Sequence, residues 1–186
     1  MVKMYETGSL KIPMNRIAVV IGKNGETKNE IERLGQSVID IDSKTGLVTV
    51  YQKKDALKAL IALNVVQAIA RGFSPEKALT LFNENMQLIV ISLKDFAGNN
   101  SNRINELRGR VIGRNGRTRQ IIEELTNTYI SVSGNTVSII GDFIGIGYSK
   151  EAVEMLLLGR KHKTVYSYLE KSVSEIKFKR MEQTFG

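Results

Sequence analysis

VIGKNGETKNEIERL, residues 20–34, returns 91 positions later as VIGRNGRTRQIIEEL, residues 111–125. Val, Ile, both glycines, Asn, the Thr two places after the second glycine, Ile, Glu and Leu are identical. The next segments match in kind: SVIDIDSKTGLVTVY, residues 37–51, lies over YISVSGNTVSII, residues 129–140. A long apolar segment then ends near glycine in both halves, at Gly72 and at Gly159. One shared pentamer arises by chance; the same succession of elements twice does not. The chain is an internal duplication.

Working outward, periodicity gives each unit the order β-α-α-β-β-α plus an extra helix. In the first unit it predicts a strand over 9–12, a helix over 16–21 and a turn over 22–25. A helix over 26–34 comes next, with Gly35 as its C-cap. Strands over 38–42 and 47–51 are joined by Ser43-Lys44-Thr45-Gly46. Asp55 is the expected cap of a broadly apolar helix to residue 71, and Ser74-Pro75-Glu76 the start of another. In the second unit the expected strands are 88–93, 130–133 and 136–140. The expected helices are 103–112, 117–127, 147–158 and 161–176. Residues 1–8 and 178–186 read as disordered tails. The domains run from 1 to 84 and from 85 to 186.

A Gly-x-x-Gly turn between two helices suits a phosphate. Glycine lets the backbone come close, and the following helix offers free amides and the positive end of its dipole. The two turns are Gly22-Lys23-Asn24-Gly25 and Gly113-Arg114-Asn115-Gly116. Preceded by Val-Ile, set between helices and followed by two strands, both resemble the loop of the KH domain, which clamps about four single-stranded nucleotides. The implied fold is α+β: two tandem type I KH domains, each with a three-stranded antiparallel sheet packed on helices, and an extra helix after each.

The second turn is the more basic. Arg103, Arg108, Arg110, Arg114, Arg117 and Arg119 fall within one short stretch, opposed only by Glu106. The first turn has Arg16, Lys23 and Lys28 against Glu26, with Glu30 and Glu32 close behind. Arginine's bidentate fork also suits phosphate. Apolar candidates for a base-contacting groove are Val20, Ile21, Ile31, Val38 and Ile39 in the first unit. In the second they are Val111, Ile112, Ile121, Ile130 and Val132. Each is equally a core position by periodicity. No aromatic stacking residue stands in the obvious groove positions.

Composition closes other routes. The 186 residues carry 27 Lys and Arg against 19 Asp and Glu, a net charge of +8, and 42% are apolar, enough for a core. The sequence has no cysteine, so disulfides, thiol catalysis and cysteine-based zinc sites are excluded. His162 is the only histidine; it reads as a surface or interface residue rather than a general base. Asp40 and Asp42 share one strand face, which reads as solvated rather than metal-binding. Neither a Walker loop nor a full dinucleotide fingerprint is present; Gly145-Ile146-Gly147 is followed by Lys150 where the third glycine belongs. No targeting or membrane-spanning segment is visible. The expectation is a cytoplasmic protein, without cofactor, metal or catalytic residues, whose pI near 9.7 calls for a polyanionic partner.

GRVIGRNGRTRQIIEELTNTYISVSGNTVSIIG, residues 109–141, and LLLGRKHKTVYSYLE, residues 156–170, narrow the choice. They resemble the archaeal rRNA-processing KH proteins related to the eukaryotic ribosome-assembly factor partner of Nob-one, also called Dim-two. A basic residue three places after the second glycine, Lys28 and Arg119, departs from the general KH pattern and fits this family. The resemblance implies a non-enzymatic factor that binds single-stranded small-subunit (16S) rRNA near its 3′ end during ribosome maturation. It names two protein partners, the rRNA 3′-end endonuclease and the alpha subunit of initiation factor two. Protein docking with RNA binding secondary is the alternative. The expected RNA-binding residues are Gly113, Arg114, Asn115, Gly116, Arg117, Arg119, Arg110, Arg108, Arg103, Ile112 and Ile130, with Gly22, Lys23, Asn24, Gly25, Lys28 and Ile21 in the first unit.

Overall fold

The computed structural model describes residues 4–186. The chain divides into two compact units, the first ending at Met86 and the second running from Gln87 to Gly186. The first contains β1 (Tyr5–Lys11), α1 (Met14–Ile21), α2 (Glu26–Gly35), β2 (Ser37–Asp42), β3 (Leu47–Gln52), α3 (Ala56–Ala70) and α4 (Pro75–Leu79). The second contains β4 (Met86–Ser92), whose first residue is the last of the first unit, then α5 (Lys94–Ala97), α6 (Ser101–Ile112), α7 (Arg117–Thr126), β5 (Tyr129–Ser133), β6 (Thr136–Asp142), α8 (Gly145–Leu157) and α9 (His162–Phe185). A one-turn 3-10 segment follows α1, α4 and α6. The fold is α+β, with a three-stranded antiparallel sheet in each unit.

The strand orders are β1-β3-β2 and β4-β6-β5. The last strand in sequence is therefore central, and β2 and β5 are edges. In the first sheet Ser9 stands opposite Thr49 and Ile39 opposite Val50; in the second Ile130 faces Ile139. The β2–β3 hairpin is held by Asp42, whose carboxylate accepts from Thr45 Oγ1 and from the Lys44 and Thr45 amides. The Thr45 hydroxyl, then the Lys44 amide, hold this carboxyl below its usual range. Asp42 thus serves the turn, while Asp40 is exposed on the strand.

Local signals act where the sequence places them. Asp55 accepts from the Leu57 and Lys58 amides at the start of α3, and Ser74 from Lys77 at the start of α4. Asn100 caps α6. The first core packs Val20 and Ile31 with Ile39, Val48, Val50, Ala62, Val66 and Ile69, all at most 2% exposed. The second packs Leu107, Val111 and Ile122 with Ile130, Val137, Ile139, Leu156 and Leu169. Burying one such aliphatic side chain is worth about 1.5–3 kcal/mol.

Four expectations change. Gly35 is not the cap of α2: it lies inside the helix, and Gln36 takes the left-handed conformation at φ 45°. Gly35 is needed because a Cβ there would stand 2.6 Å from Ala62 Cβ on α3. An unforeseen one-turn helix, α5, precedes α6. Residues 178–185 are helical, not disordered, because Arg180 donates to Asp142 at 2.9 Å and to the Thr126 carbonyl at 2.9 Å. Likewise Tyr5–Gly8 belong to β1, whereas residues 1–3 of the expected N-terminal tail lie outside the described residues. No helix among the described residues is long and apolar enough to cross a membrane.

Candidate nucleic-acid interface

Both Gly-x-x-Gly turns have one backbone shape. Gly22 has φ 75° and ψ 173°, and Gly113 has φ 73° and ψ 175°. That region is open only to glycine. Space gives a second reason: a Cβ on Gly22 would lie 2.7 Å from the Thr27 amide nitrogen, and one on Gly113 would lie 2.8 Å from that of Thr118. Asn24 and Asn115 come next at φ 52°, left-handed, a conformation asparagine tolerates better than most residues. Gly25 and Gly116, also left-handed, start α2 and α7. A right-handed residue followed by a left-handed one turns successive amides toward one concavity, a shape that accepts anions.

The helices behind these turns are open to a ligand. Unlike α3, α4 and α6, neither α2 nor α7 has a side-chain cap among the described residues. Their first amides and positive dipole ends face the turn.

The six arginines of the second stretch divide by geometry. Arg110 donates to the Leu156 carbonyl at 2.9 Å and to the Arg160 carbonyl at 2.5 Å, so it ties α6 to the end of α8. Arg103 pairs with Glu106 at 2.7 Å, and Arg119 stands 3.9 Å from Glu123. Arg108 is half-buried, with its Nε enclosed and without a hydrogen-bond partner among the described residues. Arg114 and Arg117 are exposed and make no ion pair among the described residues. The accessible charge thus concentrates at the turn itself. In the first unit Lys23 is exposed at the turn, but Glu26 occupies the place of Arg117. Lys28 pairs with Glu32 at 3.2 Å. Arg16, like Arg110, is structural: it donates to the Ile69 and Phe73 carbonyls at 2.8 and 2.7 Å.

Helix α9 adds a wall that the motif did not predict. His162 Nε2 lies 2.9 Å from the Arg110 carbonyl. Since the carbonyl can only accept, the imidazole donates, and it satisfies one of the last carbonyls of α6. Tyr166 and Thr118 share a hydroxyl–hydroxyl hydrogen bond of 2.8 Å. Together with Glu106, Arg110, Gly113, Arg114 and Arg117 they line a cavity of about 490 Å³ beside the second turn. His162 is thus a loop-bracing residue. Sequence reasoning missed Tyr166 and Thr118; the His-x-x-x-Tyr spacing, one helical turn, was the available signal.

Burial sorts the groove candidates. Ile21 and Val38 in the first unit, and Ile112, Ile121 and Val132 in the second, are partly exposed. Val20, Ile31, Ile39, Val111 and Ile130 are buried. The Ile130 side chain, 3% exposed, belongs to the core, because alternate residues of β5 point at the helices that cover the sheet. Only its backbone reaches the edge. No group of three His, Asp or Glu able to hold a metal occurs among the described residues.

Residues 87–174 match the family of eukaryotic-type KH domains, KH-domain type I. A KH domain-containing protein of Methanocaldococcus jannaschii is 44% identical over 176 residues, covering 93% of this chain and 77% of that one. The pre-rRNA-processing protein PNO1 of Debaryomyces hansenii is 30% identical over 146 residues, 78% of this chain and 56% of that longer one. A solved a/eIF2alpha–aDim2p–rRNA complex from Pyrococcus horikoshii contains a chain that superposes with a TM-score of 0.84 at 46% identity, covering 92% of this chain and 96% of that one. With one such turn in each unit, and relatives of this identity over most of its length, the chain belongs to the KH-domain proteins of the Dim2p and PNO1 type.

Proposed function

We propose that this chain is a non-enzymatic, single-stranded RNA-binding protein built from two KH domains in tandem. It acts in the cytoplasm on the 3′ end region of small-subunit (16S) rRNA during ribosome maturation, with the second domain as the main clamp. The observation that carries this reading is the second turn. Gly113 adopts a glycine-only conformation, α7 begins uncapped, and Arg114 and Arg117 stand there without a carboxylate partner among the described residues. The relatives support the process, since one is named for pre-rRNA processing and another is complexed with rRNA. That complex also contains a/eIF2alpha, which supports the initiation factor's alpha subunit as a partner. The rRNA 3′-end endonuclease is the other proposed partner.

A second reading, protein docking through the first unit, has its own support. Glu26 weakens the first turn as an anion site, and α3 exposes Leu57 and Leu60 at 67% and 46%. One experiment separates the readings. Affinity is measured for a short RNA copying the rRNA 3′ end, across a salt series, with a duplex control. Wild type is compared with Arg114→Asp/Asn115→Asp and with Lys23→Asp/Asn24→Asp. Loss confined to the first double variant makes the second unit the clamp and leaves the first for protein. Loss in both places RNA across two clamps, with a salt slope of about −0.7 per phosphate contacted. Loss in neither removes the clamp reading in favour of docking.

A further inference from the structure

We propose that Glu32 and Glu123 read bases, selecting nucleotides with an exocyclic amine, cytosine over uracil. The inference rests on the proposed function, in which the turns hold single-stranded RNA. Its starting point is a geometry that the duplication has kept. The Ile39 amide donates to Glu32 Oε1 at 2.7 Å, and the Ile130 amide donates to Glu123 Oε1 at 2.7 Å. Both amides belong to edge strands, β2 and β5. Both carboxylates stand on the helices whose N-termini face the turns, one or two helical turns further along. Each therefore bridges the helix behind the turn and the sheet edge, and on the proposed function an RNA strand leaving the turn lays its bases between the two.

The electrostatics favour a base over a phosphate there. A carboxylate accepts hydrogen bonds and cannot donate, so it repels phosphate and carbonyl oxygens alike. Lys28, 3.2 Å from Glu32 Oε1, and Arg119 Nε, 3.9 Å from Glu123 Oε2, temper that repulsion without covering the groups. The two glutamate side chains keep 20% and 19% of their surface exposed. Cytosine presents an N4 amine, a donor that acidic side chains accept from, where uracil presents the O4 acceptor. Fixing one carboxylate oxygen on a backbone amide holds the other in place before RNA arrives, which lowers the ordering cost of recognition. Covering an edge amide is useful in itself, but that role is blind to the base.

The test compares oligo(C) and oligo(U) of eight nucleotides at neutral pH, on wild type and on Glu32→Gln, Glu123→Gln and the double variant. Glutamine keeps an oxygen for the strand amide, so the fold is retained, and replaces the second acceptor by a donor. Wild type is expected to favour oligo(C) by about ten-fold, the scale of one good base contact. The ratio should fall below about two-fold, or invert toward oligo(U), in the variant of the unit that carries the contact. A second arm needs no variant: an oligomer of N4,N4-dimethylcytidine, which lacks the amine hydrogens, should bind wild type no better than oligo(U). Equal binding of oligo(C) and oligo(U) by wild type, or an unchanged ratio in the double variant, overturns the proposal while the clamp reading stands. Binding that ignores charge reversal in both turns removes the clamp reading and this inference with it.

Discussion

Arg180 Nε donates to Asp142 Oδ2 at 2.9 Å, while Nη2 of the same guanidinium donates to the Thr126 carbonyl at 2.9 Å. Asp142 Oδ1 meanwhile accepts from the Gly145 amide at 2.6 Å. One ion pair thus joins the end of β6, the start of α8, the end of α7 and the last turns of α9.

Acid should undo this junction. Burial pushes the Asp142 carboxyl up, but hydrogen bonds from Arg180 and from the Gly145 amide, with the arginine's charge, outweigh it and leave the group below its usual range. A carboxyl lowered by folding stabilises above its unfolded pKa, and that contribution disappears as pH falls through the folded value. Asp142→Asn should cost about 1 kcal/mol at neutral pH, the upper end for exposed pairs, since this one is only partly buried. Its deficit should vanish in acid. Urea unfolding of both proteins at several pH values measures this, and limited proteolysis should show earlier cleavage after Lys179 or Arg180.

The two glycines of one turn should differ. Gly113 sits in the glycine-only region with Thr118 against its missing side chain, whereas a Cβ on Gly116 meets nothing within 4 Å. Gly113→Ala should cost about 1–3 kcal/mol and lower RNA affinity. Gly116→Ala should cost about 1–2 kcal/mol, the strain of a left-handed alanine alone. Parallel denaturation and RNA titration of the pair would show whether the turn's geometry, beyond its charge, holds the ligand.

Tyr166→Phe removes the hydroxyl bonded to Thr118 and leaves the ring. The expected loss is about 1 kcal/mol of stability. RNA affinity should fall with it, since the brace stands behind the second turn. His162→Ala should act in the same direction by freeing the Arg110 carbonyl. Amide hydrogen exchange of residues 113–118 reports the loosening directly.

Gly35→Ala tests packing in the first unit. The added methyl would press on Ala62, where α2 and α3 approach each other. Overpacking of this kind costs about 1–3 kcal/mol. If Gly35 were only a helix stop, alanine would cost little, and thermal melting distinguishes the two.

Much of the site was legible in the chain because its causes are local. The repeated Gly-x-x-Gly turns, the caps Asp55 and Ser74 and the alternation of the strands each depend on neighbours a few residues away. The arginine cluster was legible as a charge, but the partners of its members were not. Arg114 and Arg117 stay open to a ligand, but Arg110 is bonded to carbonyls 46 and 50 residues away. No spacing rule announces those partners, since they exist only where α6 crosses the end of α8.

By itself the sequence determined the duplication, the order of the elements common to both units, the two turns and the excess of positive charge, all of which come from short-range backbone preference and composition. Only the tertiary structure decided which cations remain free and which strand is the sheet edge. It also revealed that α9 braces the second turn and that Glu32 and Glu123 hold edge amides. Those outcomes depend on side chains from distant segments meeting in space, and hydrogen-bonding groups are satisfied by whichever partner packing brings within about 3 Å.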